Sequence, residues 1–179
     1  MNISQVWSSL LATSIALSAP PAVWLGAPAL ILSGCNRSGE KNSSELGTFA
    51  MGNRVQVGPF SYNVLEAQWR NQVTEGATAK LPAHRFLLIR ISVTNGGGEE
   101  ISVPSMSLET AAGNSFYEVT EGMQDFPQWF GVLRKVKPAQ TETGTIVFDA
   151  PPGSYKLRLG DGGEIGAEKT ALVEIPLEL

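Results

Sequence analysis

The chain has 179 residues, 42% of them apolar and 17% charged, which is close to the average of globular proteins and leaves room for one domain with one core. All 13 basic and 17 acidic side chains follow Gly34, so the body is mildly acidic, with a net charge of −4. It lacks the basic face that displaces counterions from a phosphate backbone, and no nucleic-acid partner is expected.

Residues 6–34 are uncharged and mostly apolar, but Pro20, Pro21 and Pro28 interrupt them. Each proline removes a helical hydrogen bond, and the pieces left have the length of a signal-peptide apolar region rather than the roughly 20 residues of a membrane-spanning helix. The opening MNISQVW has no Lys or Arg, unlike the usual signal peptide, so an uncleaved N-terminal anchor is the rival reading. At the end of the run, Leu32-Ser33-Gly34-Cys35 resembles the lipobox of bacterial lipoproteins over all four positions. That resemblance implies that a signal peptidase recognises Leu32, Ser33 and Gly34 and cuts after Gly34. Cys35 then becomes the first residue, carrying a diacylglyceryl thioether and a further acyl chain such as palmitate. Cys35 is the only cysteine, which rules out an intramolecular disulfide and fits a residue kept for this chemistry. Each buried methylene contributes about 0.8 kcal/mol, so two or three acyl chains hold firmly where one holds weakly. Membrane lipid is the partner expected through Cys35, on the extracytoplasmic face of the cell membrane or outer membrane. Asn36 stands where an inner-membrane retention signal would have Asp, which favours the outer membrane where one exists.

Residues 35–48 read as the lipidated cysteine and a polar tether, with too little apolar area to offset the entropy of ordering. The 13 residues after Cys35 span about 45 Å fully extended and about 20 Å as a flexible coil. The folded domain is expected over residues 49–179.

Within it the apolar period is two. Val55 and Val57 share a face; so do Leu87, Ile89, Ile91 and Val93, with Arg90 and Ser92 opposite; so do Tyr155, Leu157 and Leu159; and so do Ala171, Val173, Ile175 and Leu177. Pro176 places the last strand at a sheet edge or at its end. Gly58-Pro59, Asn95-Gly96-Gly97-Gly98, Gly113-Asn114, Pro151-Pro152-Gly153 and Asp161-Gly162-Gly163 supply turns between these runs. A helical stripe is absent apart from a possible short turn within residues 118–130. The expected fold is all-β, an immunoglobulin-like antiparallel sandwich of about seven to nine strands, with a closed barrel as the alternative.

The order of segments resembles an extracellular immunoglobulin-like domain family of unknown function found in bacterial lipoproteins, grouped with telokin-like domains and secreted immunoprotective antigens. The shared elements are Val93-Thr94-Asn95 before a glycine turn, Gly113 ahead of Tyr117, and a Pro138-led loop before Gly144, Ile146, Val147, Phe148 and Pro151. Ala139-Gln140 stands where the family often has Pro-Gly, and Glu109 where it often has Asp. The resemblance implies a fold and brings no catalytic residue or cofactor.

The chain's own chemistry points the same way, and no enzyme is expected. His84 is the only histidine, it sits at a strand entrance, and no nucleophile elbow or phosphate loop accompanies it. One His and one distant Cys do not make a zinc site. Glu99-Glu100 and Gly160-Asp161-Gly162-Gly163-Glu164 lie in turns without the alternating carboxylates of a calcium loop, so no metal is assigned. Phe126, Trp129 and Phe130, with Met123, concentrate apolar side chains in a connection; they either cap the core or contact a partner. Arg134, Lys135 and Lys137 read as the solvated face of a strand, and Trp69 as core rather than sugar platform. The expected function is a membrane-anchored binding or accessory module for an unidentified envelope or extracellular protein. A carbohydrate or cell-envelope polymer, bound through Trp69 or Trp129, is the alternative ligand.

Overall fold

The structure is a computed structural model that describes residues 45–73, 81–132, 134–164 and 166–177. The signal segment, Cys35 and the first part of the tether lie outside them. Eleven strands are described: β1 (Glu45–Ala50), β2 (Arg54–Val57), β3 (Phe60–Arg70), β4 (Arg85–Asn95), β5 (Ile101–Ser102), β6 (Ser107–Glu109), β7 (Ser115–Tyr117), β8 (Lys135–Val136), β9 (Thr141–Ala150), β10 (Tyr155–Gly160) and β11 (Thr170–Ile175). They form a five-stranded sheet in the order β1-β11-β10-β6-β7, a four-stranded sheet in the order β2-β3-β4-β9, and a short β5-β8 pair. The two large sheets pack as a sandwich, and the described residues contain no helix.

The alternation in the sequence fixes which face is buried. Leu87, Ile89, Ile91 and Val93 of β4 are fully enclosed, as are Leu157 and Leu159 of β10 and Ala171 of β11. Each such Leu, Ile or Val contributes about 1.5–3 kcal/mol on burial. β3 keeps its apolar set inward over 11 residues by means of a bulge: the register shifts between Val64 and Glu66, which leaves Leu65 exposed while Val64 and Ala67 both face the core. Tyr62 crosses between the sheets and donates to the Gly160 carbonyl at 2.7 Å. At the other end Tyr155 donates to the Pro151 carbonyl, and its ring lies tilted beside Trp69, with ring centroids 6.3 Å apart.

Three features differ from the sequence reading. β1 begins at Glu45, inside the stretch read as tether, and pairs in parallel with β11. β11 is therefore an interior strand, so of the two readings of Pro176 the sheet edge fails and the strand end holds. Residues 118–130 hold turns instead of a helical turn, closed by Phe126 N–H to Met123 C=O at 2.9 Å and Trp129 N–H to Phe126 C=O at 3.2 Å.

Asn95 ends β4 and organises one end of the sandwich. Its buried amide donates to the carbonyls of Glu99 (2.7 Å) and Val136 (2.8 Å) and accepts from Gly97 N–H (2.7 Å). Its backbone pairs with Ala139 N–H and Gln140 C=O, so one residue joins the glycine turn, β8 and the turn that leads into β9.

Candidate functional site

The outer face of the four-stranded sheet divides into two halves. One half is apolar, because Phe86, Leu88 and Val147 point away from the main core. The connection after β7 crosses this half, and Met123, Phe126 and Trp129 cover it as a second small core. Val119 N–H bonds to Val147 C=O at 2.7 Å, and the segment at 128–130 runs parallel to β9, with Thr145 N–H to Gln128 C=O at 2.7 Å and Phe130 N–H to Thr145 C=O at 3.0 Å. The free edge of β9 is thereby paired. Consecutive aromatic rings straddle that edge: Trp129 packs with the outer cluster, and Phe130 packs against the main core. Phe130 occupies the space beside Gly144, where an added Cβ would lie 2.8 Å from the Phe130 Cα. Phe126, Trp129 and Phe130 are each half-buried, and these contacts account for their apolar character.

The two feet of this strap are joined by a buried ion pair between Glu118 and Arg134, whose side chains are 6% and 2% exposed. Glu118 also accepts Met106 N–H at 2.6 Å, and Arg134 lies 5.0 Å from the centroid of the Phe130 ring. Burial pushes the Glu118 carboxyl up, against the opposing pull of Arg134 and the Met106 amide. Arg134 is thus part of the interior rather than of a solvated basic face, whereas Lys135 is exposed and stands 3.8 Å from Glu100. Burial alternates from Arg134 to Lys137, with Arg134 and Val136 inward and Lys135 and Lys137 outward, so placing all three charges on one solvated face went against the strand period.

The remaining sequence candidates are dispersed. His84 is half exposed at the start of β4, 3.6 Å from Asp149. The Asp149 carboxylate accepts the backbone N–H groups of Ala83 (2.6 Å) and His84 (2.9 Å), so it caps the strand entrance. Trp69 is half-buried against the core, with no acceptor at its indole nitrogen. The Asp161 carboxylate closes its own loop by accepting Gly163 N–H and Lys169 N–H, each at 3.0 Å. Among the described residues no group of three His, Cys, Asp or Glu is placed to hold a metal.

The other half of the outer face is polar and open, and sequence reasoning missed it. Cross-strand register lines up Ser61, Thr94 and Thr141 in one row, Arg54, Asn63, Ser92 and Thr143 in the next, and Glu66, Arg90 and Thr145 in a third. Two adjoining grooves lie on it, of about 260 and 320 Å³; Phe126 and Pro127 of the strap border the second. The signal was present in the outward positions of β3, β4 and β9, which carry Ser, Thr and Asn. It becomes legible only once the register brings those positions together. A separate cleft of about 870 Å³ opens where β1 ends, bordered by Met51, Glu109, Lys156 and Glu174.

Comparison with known proteins places this architecture. The yjhA protein from Bacillus subtilis superposes with a TM-score of 0.52 at 15% identity, over 69% of this chain and 98% of that one. A functionally unknown protein from Listeria monocytogenes EGD-e gives 0.52 at 9% identity, over 72% of this chain and 84% of that one. These likenesses show the fold alone. No curated protein matches the chain. A family model described as "Domain of unknown function (DUF4352)" matches residues 49–170, more than half of the chain, and the chain therefore belongs to the DUF4352 family.

Proposed function

We propose that this protein is a lipid-anchored extracytoplasmic lipoprotein whose immunoglobulin-like β-sandwich, of the telokin-like and immunoprotective-antigen-like kind, serves as a binding or accessory module without catalysis. The observation that carries the reading is Leu32-Ser33-Gly34-Cys35, which follows an uncharged run and precedes the first strand by a few polar residues. Acyl chains on Cys35 fix the location, the tether gives reach, and the sandwich presents a surface. A non-catalytic role is supported by the use made of the one histidine's neighbour: the Asp149 carboxylate is committed to two backbone amides. The test is fractionation of cells expressing the wild type or Cys35→Ala. The wild type is expected in the membrane fraction and the variant in the soluble one; equal membrane retention of both would overturn lipid anchoring.

Of the two ligand classes, a cell-envelope polymer is favoured over a protein. Phe126, Trp129 and Phe130, read as either capping the core or contacting a partner, pack onto the sheet and its core, which supports the capping reading. The polar half of the four-stranded sheet instead offers exposed arginine and hydroxyl side chains suited to a polymer.

A further inference from the structure

The polar half of that outer face has more hydrogen-bonding capacity than the fold uses. Thr94 and Thr141 bond to each other at 2.8 Å, and Arg54 bonds to Ser61. Arg90, Ser92, Thr143 and Glu66 have no partner among the described residues, although they stand in adjacent rows of one sheet. The side-chain oxygen of Asn63 is buried there without a donor.

Charge narrows what could fill this surface. The residues bordering the two grooves include Arg54, Arg70 and Arg90 but a single carboxylate, Glu66, in a chain whose net charge is −4. No carboxylate lies within ion-pair distance of any of the three arginines among the described residues. Guanidinium groups bind phosphate and carboxylate through paired N–H donors, and the Ser, Thr and Asn side chains between them can both give and accept hydrogen bonds. Three arginines against one carboxylate favour an anionic ligand over a cationic one. A small anion would engage one exposed arginine at a time, and such isolated exposed pairs hold weakly. Three rows on β4 extend over about 13 Å, which suits a chain carrying several anionic groups in succession. Phe126 and Pro127 form an apolar wall along one side, against which a sugar or glycerol unit can pack.

Resting on the reading of the protein as an envelope-binding module, we infer that this face binds an anionic, hydroxyl-bearing polymer, with Arg54 and Arg90 holding the charges and the Ser92 and Thr143 hydroxyls reading the backbone between them. The shared chemistry is a repeating anion on a polyol chain, whether a phosphodiester or a uronate.

The test uses the full chain purified in detergent and three immobilised probes: poly(glycerol phosphate), polygalacturonate and neutral dextran. Retention on at least one anionic probe and none on dextran is expected, and the preferred anion identifies the source. Arg54→Gln with Arg90→Gln should weaken retention at least tenfold, and Arg90→Gln alone, at a side chain without partners, at least threefold. Lys135→Gln with Lys137→Gln, which removes two charges elsewhere, should stay within twofold of the wild type. Circular dichroism melts of each variant establish that it is folded. Absence of retention on both anionic probes overturns the inference, as does equal weakening by the lysine pair. Because no membrane is involved, polymer binding by a protein that proves unacylated would remove the anchor and keep the surface. An acylated protein that retains no polymer would remove this inference alone.

Discussion

Replacing Asn95 with Ala should be strongly destabilising. The side chain is fully buried and makes three hydrogen bonds of 2.7–2.8 Å, two donated and one accepted. Each such bond contributes about 1 kcal/mol net, and a buried group left without its partner adds a desolvation penalty of about 1–3 kcal/mol. The Val136 carbonyl belongs to a residue with no exposed surface, so its loss of a donor counts at the higher rate. The sum is about 4–6 kcal/mol, a large share of the roughly 5–15 kcal/mol that stabilises a domain. For a domain of this size it corresponds to a fall in Tm of about 10–20 °C. Urea unfolding followed by circular dichroism measures it directly. Asn95→Asp sharpens the test, because it keeps the shape and the bond from Gly97 but sets a carboxylate oxygen against the two carbonyls. It should be at least as destabilised at pH 7 and recover as pH falls and the carboxyl protonates. A loss below about 1 kcal/mol for Asn95→Ala, or an Asp variant as stable as the wild type at pH 7, would refute the role given to this amide.

Three further outcomes follow from single positions. Gly144→Ala puts a methyl group 2.8 Å from the Phe130 backbone and should cost about 1–3 kcal/mol by overpacking, with increased protease cleavage within residues 119–132; an unchanged Tm would mean that Phe130 does not need that space. Ala139 has φ of 57°, a left-handed conformation that costs an L-residue about 1–2 kcal/mol, so Ala139→Gly should raise stability by about 0.5–1 kcal/mol once glycine's extra entropy is counted. Burial raises the Glu118 carboxyl in the folded state, so the folded form binds the proton more tightly than the unfolded chain. That contribution is fully present below the ordinary carboxylate range and is lost as pH rises through the raised value. Wild-type stability relative to Glu118→Gln should therefore decline with rising pH across that window, and a rise would show that the attraction of Arg134 outweighs burial.

The inward faces were readable because one side of each long strand meets the core, so Ile89, Ile91 and Val93 alternate with Arg90, Ser92 and Thr94. The same run also begins Phe86-Leu87-Leu88, apolar on both faces, which anticipates a cover on the outer side; the aromatic residues at 126–130 supply part of it. What stayed hidden depends on contacts between distant segments. β1 contains Gly47 at φ 118° and little alternation, and its parallel partner β11 lies more than 100 residues away. Arg134 and Glu118 look like ordinary surface charges until the strap brings its feet together. Of the candidate site, Phe126 and its neighbours were visible as an unusual cluster. The hydroxyl and arginine surface was not, because its members are scattered over β2, β3, β4 and β9 and meet only through register.

The central claim is that Cys35 anchors this sandwich to a membrane, and the most direct measurement is the intact mass of the mature protein extracted from membranes, with fragmentation of its N-terminal peptide. The account predicts a chain that starts at Cys35 and carries a diacylglyceryl group, with or without a further acyl chain. A chain that retains Met1 and an unmodified Cys35 would contradict it.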